Sequence, residues 1–239
     1  VGELLEIVSS ASSAHVRTNA AAAIRDHVQS ADDAGKRAFF ELLARNYNAD
    51  PEAVDAAIGR YRRDRDAPSL AALHAASEPR RQEILRRLTL LPGGLAWLIE
   101  LREQALRLAG DIPDFKALDQ DFMHLLSSWF IPSFLELRRL DFGAPAHLMT
   151  KLMRYEAVHA IDSWQSLQAR LEPPDRRCYA FFHPQLEDDP LIFVEIALTR
   201  EVPSSIDSIL GDERPIVAAE AANTAVFYSI SNCQQGLRG

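Results

Sequence analysis

Ser204 and Ser205 stand directly after Pro203, where an apolar run ends and a new element begins. Hydroxyls in that place can serve a catalytic site, or cap the short helix that Ile206, Ser208, Ile209 and Leu210 suggest. No GxSxG elbow is present and no histidine follows His183, so a Ser–His pair has to draw on His159, His183 or residues outside the chain. Glu156 and His159 lie three apart, close enough on one helical face to form an acid–base or metal pair. A metal site would need a second ligand pair that the sequence does not supply, and a structural histidine at a helix end is the alternative. Gln234-Gln235-Gly236-Leu237-Arg238-Gly239 follows a strand-like run. Backbone amides freed by such a loop at the start of a helix would bind a pyrophosphate, although a plain turn also explains two glycines.

The elements that must position these groups are a β-hairpin and the helices around it. Arg177–His183 and Leu191–Leu198 are near-continuous apolar runs rich in β-branched and aromatic residues, separated by a polar turn ending Asp-Asp-Pro. Such runs predict strands covered on both faces, and a further strand is predicted over Ala225–Ser231. Almost everything before Arg176 has helical spacing. The alanine-rich first 30 residues favour helix by propensity, and Phe39, Phe40, Leu43 and Tyr47 mark a clearer one. Asp50-Pro51 caps the next, with Val54, Ile58 and Tyr61 on one face, so the pair reads as a helical hairpin. The arginines at 60, 62, 63 and 65 alternate with acids and read as a solvated helix end in preference to a phosphate patch. Ile84, Leu85 and Leu88 mark a basic amphipathic helix before Pro92-Gly93-Gly94, which places a domain boundary near residue 88. Two strong apolar helices follow, the second ended by Pro132; another opens at Ala144-Pro145, and Asp162 is expected to cap a short one.

With 47% hydrophobic and 25% charged residues the chain falls in the ordinary globular class. A net charge of −8 argues against broad nucleic-acid binding, and no apolar run reaches membrane-spanning length. The first residues show no secretory leader, and two cysteines fit a reducing, cytoplasmic compartment better than a disulfide framework. The absence of an initiating Met and the ending on a Gly-rich turn create the expectation that further residues lie beyond both ends.

The succession RRCYAFFHP, LIFVEIALTREVPSS and NTAVFYSISNCQQGLRG closely resembles malonyl-CoA decarboxylases, and LLSSWFIPSFLELRRLDFGAPAHLMTKLMRYEAVHAIDSWQSLQARL matches the same family in register. The resemblance implies an all-helical N-terminal domain (1–88) used for homo-oligomer assembly as dimer or tetramer. A catalytic domain (89–239) would follow, mixed α/β and similar to the acetyltransferase (GNAT) superfamily fold, with its C-terminal end missing here. It implies a carboxy-lyase of fatty acid metabolism that converts malonyl-CoA to acetyl-CoA and carbon dioxide without cofactor or metal. The family's active-site serine falls on Ser204 or Ser205, with Ser204 preferred. Its substrate-binding strand falls on Arg176, Arg177, Cys178, Tyr179, Ala180, Phe181 and Phe182, and its phosphate loop on Gln234, Gln235, Gly236 and Gly239. The loop departs from the usual Gln/Arg-x-x-Gly-x-Gly/Ala spacing. The family's catalytic histidine is expected beyond Gly239, and the chain alone is then expected to be inactive. An acyl-CoA-dependent acyltransferase on the same fold, or a non-catalytic helical scaffold, are the alternative readings.

Overall fold

The computed structural model describes residues 1–211 and 214–238, together with all but the side chain of Asp111 among them. The chain divides into two compact units, Val1–Trp129 with the segment from Gly236, and Phe130–Gln235.

The first unit is all helical, with α1 (Gly2–Ser10), α2 (Ala14–Ser30), α3 (Asp33–Asn46), α4 (Pro51–Asp64), α5 (Ala67–Ser77), α6 (Arg80–Leu88), α7 (Gly94–Arg107) and α8 (Phe115–Trp129). Helix α6 packs against α1, α2, α7 and α8, although its sequence RRQEILRRL is strongly polar. Ile84, Leu85 and Leu88 are fully buried there, and so is Arg81. Arg81 Nε donates to Asp121 Oδ2, and Gln82 Nε2 donates to Asp121 Oδ1 at 2.6 Å, which satisfies a carboxylate of α8 inside the bundle. Gly93 adopts φ 67°, and a Cβ on Gly94 would lie 2.5 Å from the Leu88 carbonyl, so the turn into α7 requires both glycines.

These contacts carry the helical unit through Trp129, past the boundary expected near residue 88. Pro-Gly-Gly is a tight turn between packed helices, with Arg81 and Asp121 paired across it. Asp50 caps α4 as its type predicts, accepting from the Glu52 amide at 3.0 Å. The expected hairpin of α3 with α4 is replaced by pairing of α4 with α5, because the Asp66–Ser69 capping box restarts the chain directly after α4. Val54, Ile58 and Tyr61 are only half-buried.

The second unit is α+β. Its strands β1 (Glu136–Leu140), β2 (Arg176–Phe182), β3 (Ile192–Thr199) and β4 (Thr224–Asn232) form an antiparallel meander in the order β1-β2-β3-β4. Helices α9 (Ala146–Tyr155) and α10 (Trp164–Leu171) precede β2, and the short α11 (Asp207–Leu210) follows β3. Leu148, Met149, Leu152, Leu167 and Leu171 pack with Cys178, Ala180, Phe182 and Phe193 in one core.

Strand β2 alternates strictly between buried and half-buried residues, and Phe227 and Ile230 of β4 are exposed. Among the described residues the sheet is therefore covered on one face by helices, where the apolar runs predicted cover on both. β1 was not anticipated, because its sequence ELRRL is charged and mostly exposed. In the β3–β4 pairing Glu195 faces Ser229 and Ile196 faces Phe227, so Tyr228 is the extra residue of a β-bulge.

Candidate functional site

Strand β3 ends at Thr199 and delivers the chain to Pro203-Ser204-Ser205, then to α11. Ser204 and Ser205 are exposed, and neither side chain caps α11, which Ile206 precedes without a side-chain cap bond. The Ser208 hydroxyl instead donates to the Ser205 carbonyl at 2.6 Å. Ser204 and Ser208 line a cavity of about 500 Å³ whose other walls include Asp175, Arg176, Thr199 and Arg214. A neighbouring cavity of about 520 Å³ shares Arg214 and extends to Arg170 and Ser166 of α10.

Of the predicted substrate-binding strand, Arg176 is the residue that reaches the Ser204 cavity. It is the largest fully buried side chain among the described residues. Its Nη2 donates to the Ile209 carbonyl and its Nη1 to the Asp175 carbonyl at 3.3 Å, while Nε has no partner among the described residues. Arg214 Nη1 donates to Asp175 Oδ2 at 2.6 Å. Burial and then the charge of Arg214 push the Arg176 guanidinium below its ordinary value, against the pull of Asp175.

Cys178, Ala180 and Phe182 point into the core instead, and burial raises the Cys178 thiol well above its usual range. Arg177, Tyr179 and Phe181 are half-buried on the other face, with Arg177 Nη1 bonded to the Pro174 and Arg176 carbonyls at 2.9 and 2.6 Å. The strict alternation of β2 separates the stretch into a core-facing and an outward set.

Glu156 and His159 do not share a helix face, because α9 ends at Tyr155 and Glu156 is its C-cap. The Glu156 carboxylate turns back to accept the amides of Val158 and His159 at 2.9 and 2.8 Å on Oε1, and the hydroxyls of Ser229 and Ser231 at 2.7 and 2.9 Å on Oε2. Burial alone would raise this carboxyl, but the His159 amide, the two serines and the Val158 amide together hold it below its ordinary value. The His159 ring lies 6.4 Å from that of Tyr228. His183 caps the turn after β2, its Nδ1 accepting from the Gln185 amide at 3.2 Å, and its ring stacks near Phe130 at 4.9 Å. Ser163, one residue after the expected Asp162, caps α10 by accepting from the Ser166 amide at 3.1 Å.

Glu195, 1% exposed in the middle of β3, is a second buried carboxylate. Arg170 Nη1 donates to its Oε2 at 3.1 Å, and Oε1 has no partner among the described residues. The Tyr228 hydroxyl lies beside it without the geometry of a hydrogen bond. Burial pushes the Glu195 carboxyl up to about 7, with the negative charge of Glu156 adding to the effect and Arg170 opposing it.

The Gln234 side chain is committed to the β2–β3 loop, donating to Asp189 Oδ2 at 3.0 Å and the Pro190 carbonyl at 3.1 Å. Gln235 opens a 3-10 turn to Leu237 and is exposed. A Cβ on Gly236 would lie 2.1 Å from the Ile99 carbonyl of α7, so close helix packing requires glycine there. Buried Arg102 donates to the carbonyls of Gly236 and Arg238 at 2.7 and 2.6 Å, and its Nε to Asp119 at 2.7 Å. Gly239 lies outside the described residues.

Set beside known proteins, residues 133–239 match the family described as the malonyl-CoA decarboxylase C-terminal domain, and residues 47–130 match its N-terminal domain. The chain belongs to the malonyl-CoA decarboxylase family. The mitochondrial malonyl-CoA decarboxylase of Anser anser anser is 40% identical over 167 residues, covering 67% of this chain and 33% of that protein. That of Rattus norvegicus is 35% identical over 174 residues, covering 70% and 35% respectively. The crystal structure of malonyl-CoA decarboxylase from Agrobacterium vitis superposes with a TM-score of 0.93 at 47% identity, over 100% of this chain and 58% of that one. The enzyme from Rhodopseudomonas palustris gives 0.90 at 46% identity, over 99% and 58%. The chain thus spans about a third of the length of the curated relatives it matches, and little over half of the solved ones.

Several buried polar groups of this unit were not singled out from the sequence. Asp175 and Arg214 are 39 residues apart and carry no local pattern. Glu195 did leave a signal, as the one charge inside LIFVEIAL. Ser229 and Ser231 alternate along β4 toward Glu156, a period-2 polar pair that marks a buried face lined with hydroxyls.

Proposed function

We propose that this chain carries part of the machinery that converts malonyl-CoA to acetyl-CoA and carbon dioxide. Family membership supports the reaction, and the observation that carries its location is the single cavity shared by Ser204 and Arg176. One comes from the loop the resemblance marks as catalytic, the other from the strand it marks as substrate-binding.

Loss of carbon dioxide from a malonyl thioester leaves an enolate. The barrier falls when donors are already aimed at the thioester oxygen as charge gathers on it, and when the carboxylate has left bulk water. The carbanion must then be protonated. In this reading, as the family resemblance implies, Ser204 relays that proton from a histidine of the family's C-terminal segment, while His183 caps the turn after β2. The loop that the resemblance assigns to the CoA phosphates, Gln234, Gln235, Gly236 and Gly239, would hold them, with the Gln234 side chain fixed on the β2–β3 loop. Assembly into a homo-oligomer would use the helical unit, where Val16, Leu70 and Leu90 are exposed and Val54, Ile58 and Tyr61 of α4 are half-buried. Buried free thiols at Cys178 and Cys233 support a reducing, cytoplasmic setting. Among the described residues no helix is long and apolar enough to cross a membrane.

The test is carbon dioxide release from malonyl-CoA by the full-length protein and by Ser204→Ala and Ser205→Ala. Loss of a relay is expected to slow Ser204→Ala by about 10²- to 10⁴-fold while Ser205→Ala stays near the parent rate. A parent protein that releases no carbon dioxide removes the activity. Two variants at the parent rate remove the serine.

A further inference from the structure

Helix α7 turns two neighbouring positions, Ile99 and Arg102, toward the segment from Gly236, which packs with the helical unit. Three apart, they share one face of the helix. The Ile99 carbonyl sets how closely the segment approaches, and Arg102 sets its orientation. Arg102 is 2% exposed, and its Nη1 alone donates to two carbonyls, those of Gly236 and Arg238. On the other edge of the guanidinium Asp119 of α8 takes Nε at 2.7 Å and Nη2 at 3.4 Å, a two-point hold that aims it at the turn. These contacts are all with protein oxygens, so this cation works on the backbone of the turn.

Gly236 lies in the 3-10 turn Gln235–Leu237, and Arg238 follows it. In a helical turn the carbonyls point to its end, where a cation is favoured by charge as well as by hydrogen bonding. Each peptide plane carries a carbonyl and an amide on opposite sides, so holding the carbonyls fixes where the amides point. A short turn with a glycine is otherwise free to sample other conformations, and ordering it in advance removes a cost from binding. We infer that Arg102, aimed by Asp119, is a positioning residue for substrate binding that holds this turn in the conformation able to take the CoA phosphates. The inference rests on the functional reading above, which assigns the phosphates to this loop, and adds to it the residue of the helical unit that shapes the loop.

The experiment is steady-state carbon dioxide release by the full-length parent, Arg102→Met and Asp119→Asn proteins. Each is given malonyl-CoA and malonyl-pantetheine, which carries the same thioester without phosphates. The parent should favour the CoA thioester through a lower KM. Loss of two charge-assisted bonds predicts that Arg102→Met raises KM for malonyl-CoA about 10- to 100-fold, with kcat and the KM for malonyl-pantetheine within about twofold of the parent. A merely structural role would impair both substrates alike. An equal loss on the two substrates, or a preference that keeps its parent size, therefore overturns the inference and leaves decarboxylation intact. Should Arg102→Met not fold, Asp119→Asn decides in the same way, with an expected rise of about 3- to 10-fold for malonyl-CoA alone. A parent protein with equal KM for the two substrates takes down the phosphate loop itself, and the inference with it.

Discussion

Glu195→Gln should change how stability depends on pH, in a direction opposite to ordinary acid denaturation. The folded carboxyl sits at about 7 and the ordinary value is 4.5, because β3 buries it and Arg170 recovers only part of the lost hydration. Below pH 4.5 both folded and unfolded chains hold the proton, and the group contributes nothing to the balance. As pH rises from 4.5 to 7 the unfolded chain releases its proton first, so the folded state loses ground until it too ionises. At about 1.36 kcal/mol for each tenfold in proton affinity, the loss amounts to about 3 kcal/mol, a large part of a domain's net stability. Glutamine keeps an oxygen for Arg170 Nη1 and does not titrate. Glu156 moves the other way: its lowered carboxyl stabilises the fold above the unfolded value and loses that effect as pH falls through the folded one, so it acts on the acid side of this window. The assay is urea unfolding of parent and variant at several pH values from 4.5 to 8. The difference in unfolding free energy should drift by about 3 kcal/mol in favour of Glu195→Gln across that range and flatten above 7. A difference that stays constant with pH would refute the assignment of a raised carboxyl to β3.

Asp121→Ala leaves buried Arg81 without its carboxylate, with the Ala44 carbonyl and the Asn48 side chain as its remaining acceptors, so the helical unit should lose about 3 kcal/mol in urea unfolding. Asp121→Asn should recover part of that, because its one amide oxygen can still accept from either Arg81 or Gln82; a loss in Asp121→Asn as small as the difference between parent and a neutral surface variant would show that the ion pair is not what holds α8. Gly236→Ala places a methyl 2.1 Å from the Ile99 carbonyl, a backbone atom that cannot swing aside. Overpacking of that kind costs about 1–3 kcal/mol, to be read as a lowered thermal midpoint; an unchanged midpoint would exclude the close approach.

What the residues could show in advance follows the range of the forces involved. Helix starts were legible where they depend on neighbours, as at Asp50-Pro51, and so was the β2–β3 hairpin, because apolar runs and a polar turn are local. The charged strand β1 was hidden: it belongs to the sheet through pairing with β2, and its own composition argues for a loop. The reading of Glu156 with His159 failed for a related reason. Spacing three apart implies one helix face only if the helix continues, and α9 stops one residue earlier, where four donors converge on Glu156 and favour a turn over another helical bond. Two of those donors lie over 70 residues away on β4. The same holds at Ser204. Its type and its place after Pro203 were visible, but the cavity it lines joins Arg176 of β2 to Arg214 beyond α11, and only the folded chain brings both beside Asp175. A site made of distant residues is read from sequence one piece at a time, and its electrostatics, a property of the set, cannot be read from any piece. The serine alone would suit many reactions, and the residues that share its cavity come from β2, from the end of β3 and from beyond α11.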